Sequence, residues 1–304
     1  MDYSHIRGFN VHGDWGSNGV TEWLNFDAAR YEHMIAIGKE RFPTMNTVRI
    51  WLSFDAYMAD KARYLSAIRR ATDILTAAGL AIMPVYYNGW FGVPSFGAII
   101  GECVQAHHYP YYERCIRDSV SAIKDANILM HDICNEPFNN SWSNTKTMLD
   151  FLAHMAETVR AIDSRPITVG SQGYPHLKDI DQLAPIVDVF SLHPYNIERL
   201  SPEAFDARFK SILDYLAPFG KPYIISECIW GTATADERRY YLETELSTYS
   251  RHRVGFLCHS LFTCPVADLY PWQENEAPPP NFLYMAFLDE GLEIRPHHEL
   301  FSRY

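Results

Sequence analysis

The chain has 304 residues, 47% of them hydrophobic, and a formal net charge of −11. That length is ample for one large core and fits a single α/β barrel spanning 1–304 better than two unrelated domains. The acidic balance argues against nucleic acid or an anionic membrane as partner and fits a neutral ligand.

No apolar stretch reaches the roughly 18 residues a membrane span needs, so none is expected. The start, Met1-Asp2-Tyr3-Ser4-His5, carries no basic region followed by an apolar one. The chain is therefore expected to be cytoplasmic, or secreted with a signal peptide absent from this sequence. Six cysteines, at 103, 115, 134, 228, 258 and 264, are scattered without any CxxC spacing. They read as reduced, structural thiols, three of them (Cys134, Cys228, Cys258) in strand-like runs.

Short, nearly continuous apolar runs alternate with amphipathic stretches along the whole chain. The strands are predicted at 6–11, 47–52, 80–86, 128–134, 166–170, 187–193, 222–227 and 254–261. Such runs suit parallel strands covered on both faces. Helices are predicted at about 27–41, 59–78, 110–125, 143–162, 202–217 and 234–251. A shorter helix is expected at 176–184 and a last one within 283–304. Asp60 opens the second long helix and Gly79 closes it. Ser201-Pro202 pairs a capping hydroxyl with a proline at the first helical position. Eight strands in βαβα order point to a closed (β/α)8 barrel, with an open doubly wound sheet as competitor. No GxGxxG follows the first strand and no GxxxxGK[ST] occurs, so no nucleotide cofactor is expected. Long loops follow strand three (88–109) and strand eight (263–281), on the face where barrel enzymes keep their sites.

Two glutamates end apolar runs of this kind: Asn135-Glu136-Pro137 after strand four and Ser226-Glu227-Cys228 at strand seven. A carboxylate there is half sheltered and still reachable by a ligand. Glycoside hydrolysis needs such a pair, one as acid/base and one as nucleophile. Other polar and aromatic residues fall at the same strand ends: Asn10, His12, Arg49, Trp51, Asn88, Trp90, His193, Tyr195 and His259. Aromatic residues make up 14% of the chain, and many of those in loops, Trp15, Trp90, Trp142, Trp230 and Trp272 among them, could stack on sugar rings. His107-His108 and His297-His298 lack a third ligand at recognisable spacing, and no HExxH occurs, so no metal site is expected.

Arg49, Asn135-Glu136-Pro137, His193-Pro194-Tyr195 and Glu227, in register with strands two, four, six and seven, resemble the retaining (β/α)8 glycoside hydrolases, closest to the cellulase-like family 5 group. The resemblance covers nearly the whole chain. It implies that Glu136 protonates the departing glycosidic oxygen and then deprotonates water, and that Glu227 is the ionised nucleophile. Arg49 and Tyr195 would hydrogen-bond to Glu227, Asn135 would donate to the sugar 2-hydroxyl, and His193 would orient substrate or the acid/base. His12, Asn88, Trp90, His259 and Trp272 would complete the carbohydrate-binding surface.

Two departures stand out. The eighth strand of this group usually carries a tryptophan under the sugar, and here His259 falls at that place; either the floor is polar, or Phe262 or Trp272 replaces it. The third strand has Tyr86, Tyr87 and Asn88 where a histidine is common. The resulting expectation is a retaining β-glycosidase acting on oligosaccharides or glycosides of β-glucoside or β-mannoside type. An endo-acting β-glucanase or β-mannanase, an inactive carbohydrate-binding barrel, and a metal-dependent hydrolase using His12, His193 and His259 are the alternatives. The oligomeric state has no signature in the sequence.

Overall fold

The computed structural model describes residues 2–90, 97, 99, 101, 103–139, 145–171, 177–265 and 285–304. Its centre is a closed barrel of eight parallel strands in sequential order. These are β1 (Arg7–Val11), β2 (Thr47–Trp51), β3 (Ala81–Asn88), β4 (His131–Asn135), β5 (Ile167–Ser171), β6 (Phe190–Leu192), β7 (Tyr223–Ile225) and β8 (Phe256–Cys258). The strand-to-strand returns are helical: α1 (Gly19–Leu24), α2 (Ala28–Arg41), α3 (Phe54–Ala59), α4 (Lys61–Ala77), α5 (Tyr109–Ile123), α6 (Thr145–Arg160), α7 (Leu177–Leu183), α8 (Pro202–Leu216) and α9 (Ala235–Arg251).

The capping chemistry explains the helix boundaries. Asp60 accepts from the Arg63 N–H and Ser201 from the Ala204 N–H, each satisfying a first-turn donor. Gly79 ends the α4 connection at φ +74°, a left-handed conformation glycine adopts without a Cβ penalty. Two short helices, α1 and α3, were not expected. Each is capped from a loop, by Asn18 and Ser53, and is too short for its periodicity to register. The last helix expected within 283–304 is only a 3-10 turn, His298–Arg303. Pro296 and Gly291 leave no room there for a longer amphipathic run.

Beside a small cluster of Trp51, Val85 and Cys264, two clusters make up most of the core. One lies between the barrel and its helices. The other plugs the N-terminal end of the barrel with Tyr3, Ile6, Met83, Met130, Val189, Ile224 and Leu257. The plug seals one end with apolar side chains, so the polar strand ends gather at the other. Cys134, Cys228 and Cys258 are buried free thiols, filling space like small apolar residues. Among the described residues, no helix is long and apolar enough to cross a membrane.

Candidate active site

Arg49 organises the C-terminal end of the barrel. It is fully buried on β2 and donates to four partners. Its Nε and Nη2 bond Asp132 Oδ2 at 3.0 and 2.8 Å, and Nη2 also reaches Asn135 Oδ1 at 2.9 Å. Its Nη1 bonds Asn10 Oδ1 at 2.9 Å and the carboxylate of Glu227. Asn10 and Arg49 are paired across β1 and β2 by register, so the contact follows from the sheet itself. Gly170 on β5 leaves the space this requires: a Cβ there would come within 3.0 Å of Arg49 Nη2 and 3.1 Å of His193 Nε2.

Asp132 and Asn135 are three residues apart, and a regular strand would send them to opposite faces. The β4–β5 register shifts between them, with Asp132 opposite Thr168 and Asn135 opposite Gly170. The extra residue on β4 is a bulge that turns both side chains onto Arg49. The register also faces Asn88 to Asn135, and Asn135 Nδ2 donates to Asn88 Oδ1 at 3.0 Å.

Glu227 lies just past β7 and is 5% exposed. Beside Arg49, it accepts from the Tyr195 hydroxyl at 2.9 Å. Burial alone would push its carboxyl up, but the positive charges of His193 and Arg49 outweigh it and hold the group down at about 2. Glu136 follows β4 with φ +42°, a left-handed conformation uncommon outside glycine. Its Oε1 lies 2.8 Å from His193 Nδ1, and its Oε2 accepts from Asn139 Nδ2 at 2.6 Å. Strain of this kind costs on the order of 1–3 kcal/mol and is held by the surroundings. Here the Glu136 N–H donates to Gly170 O, and Asn139 N–H closes back onto Glu136 O.

His193 stands between the two acids. Its Nδ1 is 3.6 Å from Glu227 Oε2 as well as hydrogen-bonded to Glu136. Its Nε2 lies 2.8 Å from Ser226 Oγ, which in turn bonds Ser191 Oγ. One ligand atom from each of Glu136, His193 and Glu227 lies within 4.8 Å of the other two. This trio could hold a divalent cation, but Glu227 already faces the Arg49 guanidinium, whose charge a metal would have to oppose.

The expected site residues Glu136, Glu227, Arg49, Asn135, His193 and Tyr195 thus meet in one network. His12 lies beside it, its Nδ1 3.4 Å from Glu22 Oε2 and its ring 5.4 Å from Trp51. Asn88 also closes a local turn with Trp90, accepting from the Trp90 N–H at 3.0 Å and donating to its carbonyl. His259 is buried next to His12 and Trp51. Trp15 packs on Phe26 and Tyr31, and Trp230 meets the Tyr195 ring edge-on at 5.6 Å. Trp142 and Trp272 lie outside the described residues.

Four contributors were not foreseen. Asn139 and Ser226 are small polar residues next to the two acids, and that adjacency was the only signal they gave. Arg238 and Glu245 sit on α9 two turns apart, within the same stripe as the buried Tyr241, Leu242 and Tyr249. Charges on a core-facing stripe were the clue. Glu245 accepts the N–H groups of Asn196 (3.2 Å) and Ile229 (2.7 Å). Arg238 donates to the carbonyls of Ile229, Trp230 and Met285. Ile229, at φ +72°, is a β-branched residue in left-handed backbone, and α9 holds both its amide and its carbonyl. The pair therefore fixes the loops that carry Tyr195 and Glu227. Burial pushes Glu245 up to about 7 against the hydrogen bonds it accepts.

A barrel whose C-terminal end gathers two acids, an arginine and a histidine in this way defines a class of sugar-cleaving enzymes. The family described as Cellulase (glycosyl hydrolase family 5) matches residues 5–261. The chain belongs to glycosyl hydrolase family 5 and is a glycoside hydrolase. Among curated proteins no relative matches. Solved structures share the fold at low identity. A GH5_18 protein from Bifidobacterium longum subsp. infantis is 12% identical, with TM-score 0.75 over 98% of this chain and 78% of that one. A GH5_18 variant from Streptomyces cattleya, in complex with Manβ1-4GlcNAc, is 15% identical, with TM-score 0.73 over 97% and 79%. An endo-1,4-β-D-mannanase from Thermotoga petrophila RKU-1 is 11% identical, with TM-score 0.68 over 98% of both chains.

Proposed function

We propose that the chain is a retaining β-glycosidase that works by double displacement, its whole length forming one catalytic domain. The observation that carries this is the approach of Glu136 and Glu227, whose oxygens come within 4.8 Å of each other across His193. Retaining enzymes hold their carboxyl groups about 5–5.5 Å apart, and inverting ones leave about 6.5–9.5 Å for a water.

Glu227 is the nucleophile. Its low carboxyl keeps it ionised, and Arg49 and Tyr195 aim it by hydrogen bonds to separate oxygens. It attacks the anomeric carbon and forms a glycosyl ester. Glu136 gives its proton to the leaving oxygen, then takes one from the water that hydrolyses the ester. His193 contacts Glu136 and Glu227 from one ring nitrogen and so holds the two acids in one geometry. Asn135, fixed by Arg49 and Asn88, has an amide hydrogen left for the sugar 2-hydroxyl. His12, Trp90, His259 and Trp272 belong to the binding surface in this reading.

The substrate we propose is a short β-mannoside or β-glucoside. The mannanases and the Manβ1-4GlcNAc complex among the similar structures favour testing mannosides first. The test is a panel of 4-nitrophenyl β-glycosides, Manβ1-4GlcNAc, and soluble mannan and glucan. Hydrolysis of the small glycosides, lost in Glu227→Ala and partly restored by azide as an α-glycosyl azide, is the expected result. Binding without turnover across the panel would overturn it, and turnover of polymers alone would move the enzyme to the endo class.

A further inference from the structure

The wall opposite Asn135 carries a feature the mechanism does not use. In the closed strand order, β8 lies across the barrel from β4. His259 follows β8 directly and is 5% exposed. Its backbone is fixed, the N–H donating to Cys228 O at 3.2 Å and the carbonyl accepting from Arg238 at 3.4 Å. Its ring stands 6.1 Å from His12 and 6.2 Å from Trp51, centroid to centroid. It is close enough to Glu227 for the two to influence each other's charge.

Yet the buried Nδ1 of His259 has no hydrogen-bond partner. The other buried histidines each have at least one ring nitrogen engaged with a polar partner, although His131 Nε2 also makes no hydrogen bond and only lies 3.3 Å from Asp163 Oδ2. His193 uses both nitrogens, His298 bonds Pro296 O and Arg238, His131 bonds the Tyr86 hydroxyl, and His12 meets Glu22. Buried polar atoms are nearly always paired, and an unpaired one calls for an explanation. Burial above all, with the guanidinium charges of Arg49 and Arg238, holds His259 down at about 3 against the pull of Glu227, so the ring is neutral near pH 7. A neutral ring nitrogen is suited to a hydroxyl, which can donate or accept as the tautomer requires.

We infer that His259 is a specificity-determining residue whose Nδ1 pairs with one ring hydroxyl of the sugar at the cleavage site, on the side facing away from β4. This rests on the glycosidase reading and adds to it. The protein would select its sugar by a directional polar contact at β8 as well as by stacking. A site built around a hydrogen bond discriminates strongly against the analogue that lacks the hydroxyl, because its own polar group is then left unpaired.

The test compares wild type, His259→Phe and His259→Asn on 4-nitrophenyl β-D-mannoside and β-D-glucoside and on their 3-, 4- and 6-deoxy forms. The phenyl ring keeps the bulk without the nitrogen, and the asparagine amide returns a polar atom near Nδ1. His259→Leu serves if the phenylalanine variant does not fold. His259→Phe is expected to lower kcat/KM about tenfold to a hundredfold on the parent sugar. On one deoxy sugar it should match wild type, and His259→Asn should recover part of the loss. A ratio of variant to wild type that is the same for every sugar would overturn the proposal. If wild type hydrolyses none of them, the glycosidase reading fails, and the same ratios taken from Kd by calorimetry decide the role of His259.

Discussion

The two glutamates share a residue type and a position at a strand end, but their surroundings differ. On the β7 side, Glu227 faces a guanidinium and a phenol, with His193 Nδ1 3.6 Å away. On the β4 side, Glu136 faces an imidazole and an amide on a strained, left-handed backbone. The fixed guanidinium cation favours an ionised Glu227, whereas Glu136 meets an imidazole and an amide in its place. The proposed division of labour between acid and nucleophile rests on this difference in neighbours.

The largest effect should come from the nucleophile itself. Glu227→Ala is expected to lower kcat by about four orders of magnitude or more, measured by steady-state hydrolysis of an aryl glycoside. Glu136→Gln should behave differently. With an alkyl leaving group the loss is about 10²–10⁴-fold, and glycosylation by a dinitrophenyl glycoside, whose leaving group needs no proton, is largely spared. Equal losses on both substrates would blur the distinction between the two acids.

Arg49→Met removes the cation that separates the two sides. It leaves Asp132 and Glu227 buried without their guanidinium and should destabilise the fold by about 3–5 kcal/mol in urea titration. Glu227 sits near 2 in the folded protein against an ordinary 4.5. Its ionised form therefore contributes stability above about pH 4.5, and that contribution is lost as the pH falls toward 2. In Arg49→Met this acid-dependent part should shrink, and the acid limb of kcat/KM should move up in pH, since the nucleophile must be ionised. Arg49→Lys cannot serve all four partners and should restore little.

Smaller effects are expected farther out. Glu245→Ala frees the amides of Asn196 and Ile229 and should cost about 1–3 kcal/mol of stability. A fall in kcat with KM unchanged would mark it as positioning Tyr195 and Glu227. Last, a chelator should leave activity unchanged, because protonation and covalent attack are both assigned to side chains. Loss in chelator with recovery on adding a divalent ion would instead make Glu136, His193 and Glu227 a metal site.

Much of this was legible in the sequence because parallel strands of a barrel are short apolar runs, and their polar ends stand out against them. Glu136, Glu227, Arg49, Asn135, His193 and Tyr195 were visible for that reason. The bulge that turns Asp132 inward was not, since a single extra residue alters register without altering composition. Asp132 is a buried polar group whose partner Arg49 lies 83 residues away in the chain. The hold of α9 on Ile229 was hidden for a similar reason. Arg238 and Glu245 look like ordinary helix charges until the packing puts them in the core, and their partners are backbone atoms, which carry no sequence signature.

The stereochemistry of the first product tests the central claim most directly. Proton NMR during hydrolysis of an aryl β-glycoside should show the β-anomer forming first, with the α-anomer appearing only by mutarotation. An α-anomer formed first would mean single displacement by water, and would contradict a pair of acids close enough for Glu227 to attack the sugar itself.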